Sequence, residues 1–311
     1  MHTADEVLAS FLAANPQAAD GKLSMEELNK LMTEHQHRIN NKPLADFDGL
    51  SPEQMSGLLY SPMAPGTMLQ FRKGIESIVG NSDFFKLSEL LINEIKQAGS
   101  LKLTATGNLP VRVCEMLCSQ NLIYSPFMQY VKKIREEVVP YLWPLKQYLL
   151  DEGLVKKRNN ALSLTKNGEK LLKESAEVRF RMIFHYLANS FHWCNFYELA
   201  DDGAYGKMGW AYSLLLLAKY GDSPRESTFY SLKIMQAFET QLWEAHNKGL
   251  VTNGTDIFNY AYNVRFFENF AEWFGLVKIE RKQDPAILYR EELIITKSAL
   301  FEQLFEVNLT G

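Results

Sequence analysis

The stretch that most constrains this chain runs from Gly153 to Gly168: Gly-Leu-Val-Lys-Lys-Arg-Asn-Asn-Ala-Leu-Ser-Leu-Thr-Lys-Asn-Gly. Two short β-prone runs, Leu154 to Lys156 and Ala161 to Leu164, flank Arg158-Asn159-Asn160. Asn tolerates the left-handed backbone that a tight hairpin needs, so the stretch predicts a β-hairpin. An amphipathic pattern with Leu142, Leu145, Leu149 and Leu150 precedes it, and Asn167-Gly168-Glu169-Lys170-Leu171-Leu172 opens a helix straight after it. Helix, hairpin, helix is how a winged helix ends.

At 311 residues with 46% hydrophobic side chains, the chain is long enough for two or three packed units. Its charged fraction of 23% is that of an ordinary folded protein. No apolar run reaches the roughly 20 residues a bilayer needs, since Leu214 to Leu217 is cut off by Lys219. The opening Met1-His2-Thr3-Ala4-Asp5-Glu6 has neither a basic signal-peptide start nor an Arg-rich transit pattern. The expectation is a cytoplasmic protein without a membrane partner. Cys114, Cys118 and Cys194 are odd in number, and the first two lie four apart on a helical face, which suits buried thiols better than disulfides.

Charge is unevenly spread beneath the net −4. Residues 1–81 carry 6 basic against 10 acidic side chains, residues 82–175 carry 14 against 10, and residues 176–311 carry 13 against 17. Only the middle block, which contains the hairpin, has the excess of positive charge expected of a surface that meets phosphate.

In the first block, Thr3-x-x-Glu6 and Ser24-x-x-Glu27 have capping-box spacing and predict two helices within residues 1–40. Asp20 to Glu27 imitates the second half of a calcium loop, but Pro16 and Ala18 occupy the first and third ligand positions, so a turn feeding a capped helix is expected. Ser51, Pro52 and Gln54 mark a further helix start, running to about Tyr60. Asp46 and Asp48 just before it read as structural acids.

The middle block predicts a helix over 83–97, a strand at Leu101 to Thr104 and a helix after Pro110, followed by Val131 to Val139 and Pro140 to Glu152, in the order helix, strand, helix, helix, hairpin, helix. Residues 176–220 follow as a helical connector dense in aromatics, from Phe180 and Phe184 to Trp210 and Tyr212. Without a basic lining these rings read as core rather than base-stacking platforms. His185, His192 and Cys194 lack the paired short spacing of a zinc site and read as a buried structural trio.

The last third repeats the middle. Phe266 to Trp273 is an apolar helix, Gly275-Leu276-Val277-Lys278 matches Gly153-Leu154-Val155-Lys156 at an offset of 122, and Glu292 to Lys297 matches Ala161 to Lys166. A second hairpin with a longer tip, Glu280 to Tyr289, precedes a closing helix at Ser298 to Phe305. The expected architecture is mainly α with small β-hairpins: a helical N-terminal region (1–81), a winged-helix-like domain (82–175), the connector (176–225) and a second winged-helix-like domain (226–311).

Leu101 to Pro110, the opening hairpin, Gly209 to Leu217, and Arg265-Phe266-Phe267 through Phe274-Gly275-Leu276-Val277 together resemble a bacterial family with tandem winged-helix-like domains, some members of which carry a plasmid-encoded open-reading-frame domain. The resemblance covers about residues 100–300 and implies the fold, with no established catalytic role.

Two functions follow as expectations. The first is DNA binding by a regulatory protein: Lys146 and Gln147 on the pre-wing helix would face a groove, Lys156, Lys157 and Arg158 would reach phosphates, Asn159 and Asn160 would donate hydrogen bonds, and Lys166 and Lys170 would extend the basic face. The second is a protein-interaction scaffold, partnered by another protein or by itself, with no nucleic acid; the acidic second copy, with Glu268 and Glu272 on its pre-wing helix, favours it. No catalytic motif, metal site or cofactor site is legible, so no enzyme and no cofactor are expected.

Overall fold

The computed structural model describes residues 4–125, 128, 130–196, 204–238, 254–283 and 291–308. Among them the chain is mainly helical with three small antiparallel sheets.

The N-terminal region holds α1 (Ala4–Ala14), α2 (Met25–Asn40) and α3 (Pro52–Tyr60). The predicted capping box that can be seen is formed, and the predicted helix start at Ser51 has one too. The Ser24 hydroxyl accepts from Glu27 N–H while the Glu27 carboxylate accepts from Ser24 N–H, and Ser51 and Gln54 exchange the same pair of bonds. Glu27 is therefore engaged in a helix cap, as a turn feeding a capped helix requires. Thr3 lies outside the described residues. Phe11 is the one core side chain of α1, which leaves Leu8 at 49% and Leu12 at 36% exposure on the same helix. Asp48, in a left-handed turn, accepts bonds from Lys219, Lys233 and the Tyr220 hydroxyl, while Asp46 accepts from Gln236. The two acids thus fasten the N-terminal region to residues 219–236, and burial of Asp48 is outweighed by these donors, which hold its carboxyl below the usual range. After α3, β1 (Leu69–Phe71) pairs antiparallel with β8 (Phe305–Val307), a pairing the sequence reading did not foresee.

The middle block forms α4 (Asp83–Ala98), β2 (Leu101–Lys102), α5 (Val111–Cys118), α6 (Leu142–Asp151), β3 (Val155–Arg158), β4 (Ala161–Leu164) and α7 (Lys166–Leu171). Asn159 and Asn160 both sit at positive φ (50° and 53°), so the two-residue hairpin is the one their side chains favour. Val131 to Val139 holds a 3-10 turn at Glu136–Val138, where Glu136 turns inward and accepts from Leu109 N–H and Lys146. β4 lies between β2 and β3.

The last third repeats that order with α9 (Trp210–Tyr220), β5 (Arg225–Glu226), α10 (Ser227–Ala237), α11 (Gly254–Tyr262) continued by a π-helical stretch (Asn263–Ala271), β6 (Val277–Gln283), β7 (Glu291–Lys297) and α12 (Ala299–Leu304). β7 lies between β5 and β6, the same arrangement as the first sheet. The expected apolar helix at Phe266 to Trp273 is largely this π stretch. The predicted hairpin tip at Asp284 and Pro285 lies outside the described residues.

Equivalent hydrogen bonds fix the alignment of the two copies. Thr165 and Ser298 each cap the following helix, donate their hydroxyls to Gly153 O and Gly275 O, and bond through N–H to Leu154 O and Leu276 O. Ala161–Leu164 therefore corresponds to Ile294–Lys297, two residues beyond the alignment that sequence identity suggested. β5 also straddles the expected boundary at 225/226, because its partner strand β7 belongs to the last third.

The connector contributes α8 (Ala176–His185) and a π-helical turn (Tyr186–Ser190). Its aromatics are core: Phe184 packs on Phe71, Trp210, Phe270, Phe274 and Phe305, and Trp193 on Phe270. Of the expected buried trio around Trp193, His192 is exposed and Cys194 half-buried, since only the indole, donating to Leu187 O, turns into the core.

Gly168 records how tightly the first copy closes. A Cβ there would meet Leu154 O at 2.2 Å and Leu164 Cδ2 at 2.9 Å. Gly168→Ala should therefore cost about 1–3 kcal/mol by overpacking, although alanine is ordinarily the better helix former. Urea unfolding measures this, and a variant as stable as the parent would show that α7 can shift away from the hairpin.

Candidate nucleic-acid interface

The helix expected to meet a groove is covered. On α6, Leu142, Leu145, Tyr148 and Leu149 are buried, and the remaining side chains other than Asp151 have at most partial exposure. The connector lies over this helix: Phe191 packs on Trp143 at 5.7 Å, Tyr186 on Tyr148 at 5.4 Å, and the Tyr186 hydroxyl donates to Asp151 at 2.7 Å.

Lys146 corrects the sequence reading most sharply. It is 6% exposed, and its ammonium is bound to Glu136, itself 3% exposed, and donates to Gly107 O at 3.1 Å. Two apposed, desolvated charges pair with each other rather than with a ligand. Gln147 is half-buried and donates to Asp151 Oδ1 at 2.6 Å, which ties it within its own helix.

The hairpin residues Lys156, Lys157 and Arg158 are exposed but do not share one face. Directly paired residues in an antiparallel sheet project to the same side. Lys157 pairs with the buried Leu162, on the core side, and its ammonium nitrogen lies 2.7 Å from where a Cβ on residue 107 would sit. Lys156 pairs with Ser163 and Arg158 with Ala161, on the outward side. Asn159 is exposed at the tip, whereas Asn160 spends its amide on Thr104 O and Leu103 O, and its carbonyl accepts from Leu103 N–H. Asn160 is thus a strut between hairpin and β2, not a free donor. Lys166 and Lys170 are exposed one turn apart on α7.

Sequence reasoning missed Lys102. It pairs with Ala161, which also pairs with Arg158, so Lys102, Ala161 and Arg158 form one row across the outward face, with Lys156 and Ser163 next to it. The alternation of Leu101-Lys102-Leu103-Thr104 puts Lys102 on the face opposite the buried Leu101 and Leu103, and the register brings it beside the hairpin. Lys102, Lys156 and Arg158 are exposed, and among the described residues no carboxylate lies within ion-pair distance of them.

The corresponding row of the second sheet is Glu226, Ile294 and Glu280. Glu268 and Glu272, before its hairpin, are not simply presented to solvent, because Arg281 bonds Glu272 at 2.7 Å and reaches Glu268 at 3.5 Å while lying over the Tyr124 ring. Phe270 and Trp273 on the same stretch are buried.

Groups that could do chemistry elsewhere are masked by packing. Burial, with Glu136 adding, pushes the Cys114 thiol up to about 12, and burial also raises Cys118 against a hydrogen bond from Tyr141, so neither is a nucleophile near neutral pH. Among the described residues no three His, Cys, Asp or Glu side chains are placed to hold a metal ion, and no helix is long and apolar enough to cross a membrane. Comparison with family models, curated proteins and solved structures gave no match.

Proposed function

We propose that this chain is an interaction scaffold built from two winged-helix-like units, which does not read DNA sequence through its pre-wing helices. Among the described residues, the order helix, strand, helix, helix, strand, strand in both copies, with the last strand central in each sheet, supports the winged-helix assignment. The observation that carries the functional reading is the burial of α6 and of Asn263–Ala271. Base readout requires a helix whose side chains reach base edges in the major groove. Here those helices pack beneath the connector and against each other's units, as in the stacking of Trp273 on Phe84 at 5.2 Å and its edge contact with Tyr141 at 6.3 Å.

The test is selection from a pool of random DNA duplexes. The expected outcome is no enrichment of any motif over rounds of selection. A recovered consensus would overturn the scaffold reading and restore a regulatory protein that reads sequence.

The runner-up is the DNA-binding reading reduced to backbone contact, and the exposed cations of the first sheet favour it. That surface carries an inference of its own.

A further inference from the structure

We infer that the outward face of the first sheet is a track for the phosphate backbone of nucleic acid, with Lys102, Arg158 and Lys156 as its cations. The face is distinct from the covered α6, and the inference stands whether or not the scaffold reading is right.

Three arguments carry it. The first is placement: the register sets Lys102 on β2 and Arg158 on β3 in one row across β4, with Lys156 two residues along β3. Strands lie about 4.8 Å apart and rise about 3.3 Å per residue, so the three Cα positions span roughly 10 Å across and 7 Å along the sheet. Side chains as long as Lys and Arg cover that area.

The second argument is the absence of a stability rationale. Like charges on neighbouring positions of one face repel and destabilise a sheet by tenths of a kcal/mol. Lysines on edge strands do discourage strand addition, and β2 and β3 are both edges. The second sheet meets that need with mixed charge: Lys278, Glu280 and Lys282 alternate with inward residues along β6, Lys282 pairs with Glu280 at 3.5 Å, and Glu226 occupies the position equivalent to Lys102. Two copies with the same topology have opposite charge in the same row. Solubility and edge protection explain the second pattern and leave the first unexplained.

The third argument selects the partner. Between the cations lie only Ala161 and Ser163, so the face has no apolar anchor around which a protein interface could form. A phosphodiester backbone needs none: Lys and Arg engage phosphate oxygens, a hydroxyl such as Ser163 can donate to them, and counterion release supplies the driving force. Lys166 and Lys170 on α7 extend the positive field beyond the sheet, and the neutral Asn159 is exposed at the hairpin tip with an amide that can donate.

The inference is tested by fluorescence anisotropy of a labelled mixed-sequence DNA duplex, with the full chain titrated at several salt concentrations. Each phosphate contact contributes about 0.9 to the slope of log K against log salt. Lys102→Ala should flatten the slope by about 0.9, and Lys102→Ala/Lys156→Ala/Arg158→Ala by about 2.7, which corresponds to about a 40-fold loss of salt sensitivity between 50 and 200 mM. Lys278→Ala, at the position equivalent to Lys156 in the second sheet, should leave the slope unchanged. All three cations are exposed, so thermal unfolding should move little and loss of binding cannot be ascribed to loss of fold. An unchanged slope in Lys102→Ala, no binding at the lowest salt, or tighter binding to poly-glutamate than to DNA would each overturn the inference. Those results differ from a recovered consensus motif, which bears on the scaffold reading alone.

Discussion

Lys146→Ala is expected to be the most damaging single substitution proposed for this protein, at about 3–5 kcal/mol of stability, because it strands a buried carboxylate. Glu136 would keep its bond from Leu109 N–H but lose its counter-ion in a site where both side chains are almost wholly buried. The loop from Thr104 to Pro110 should loosen too, since Lys146 also holds Gly107 O. A second substitution separates this account from simple loss of packing. Lys146→Met with Glu136→Gln removes both charges, keeps most of the volume and retains an acceptor for Leu109 N–H, so it should recover most of the loss. Urea unfolding of the single and double variants decides it. If the double variant is no better than Lys146→Ala, the ion pair is not what holds this corner together.

Glu268 should give the protein a stability that declines as pH rises from about 4.5 to about 7. Burial pushes its carboxyl up to about 7, with Arg281 opposing and the nearby Glu272 and Glu291 adding to the rise. Below the usual carboxylate value of 4.5 the group is protonated in both folded and unfolded chains. Between 4.5 and 7 the folded chain retains a proton that the unfolded chain has released, so raising the pH favours unfolding, and above 7 the loss is complete and constant. Glu268→Gln removes the titration and leaves Arg281 bonded to Glu272 at 2.7 Å. It should stabilise the protein at pH 8 by about 1–2 kcal/mol, allowing for water around part of the side chain, and flatten the profile between pH 5 and 7. Asp48 makes a contribution of opposite sign and in a different window. Its carboxyl is held low, so its share of stability is present at neutral pH and lost only as pH falls below about 4. A Glu268→Gln profile that still declines between pH 5 and 7 would place the titrating group elsewhere.

Local rules made much of the fold legible. Ser24 and Ser51 cap the helices their spacing announced, and Asn159-Asn160 turns the hairpin, because each outcome depends on a few neighbouring residues. What failed was long-range. Lys146 reads as a groove contact from its place on the pre-hairpin helix, but Glu136 is its buried partner and Phe191 and Tyr186 cover α6. Lys102 was passed over because its neighbour across the sheet, Arg158, lies 56 residues further along the chain. The wing cations were placed in one group because they are consecutive, whereas strand alternation sends Lys157 to the other side from Lys156 and Arg158. Residue type set the candidates; register and covering segments, which no local pattern encodes, decided which of them can meet a partner.

The pairing of β1 with β8 has a consequence for how the protein is made. Arg72 donates to Glu302 O across a separation of 230 residues, and Phe71 stacks on Phe305 in the aromatic cluster that also receives Phe180 and Phe184. Closing so long a loop costs on the order of 5 kcal/mol of chain entropy, beyond a fixed term, and the closure is made through a segment synthesised long after β1. The first sheet and its helices can assemble while synthesis continues, but Leu69 to Phe71 must wait, with an apolar edge open, until Phe305 to Val307 emerges. During that interval a nascent chain exposes a strand that any β-prone neighbour could take, and a chaperone acting on this protein would find its target there.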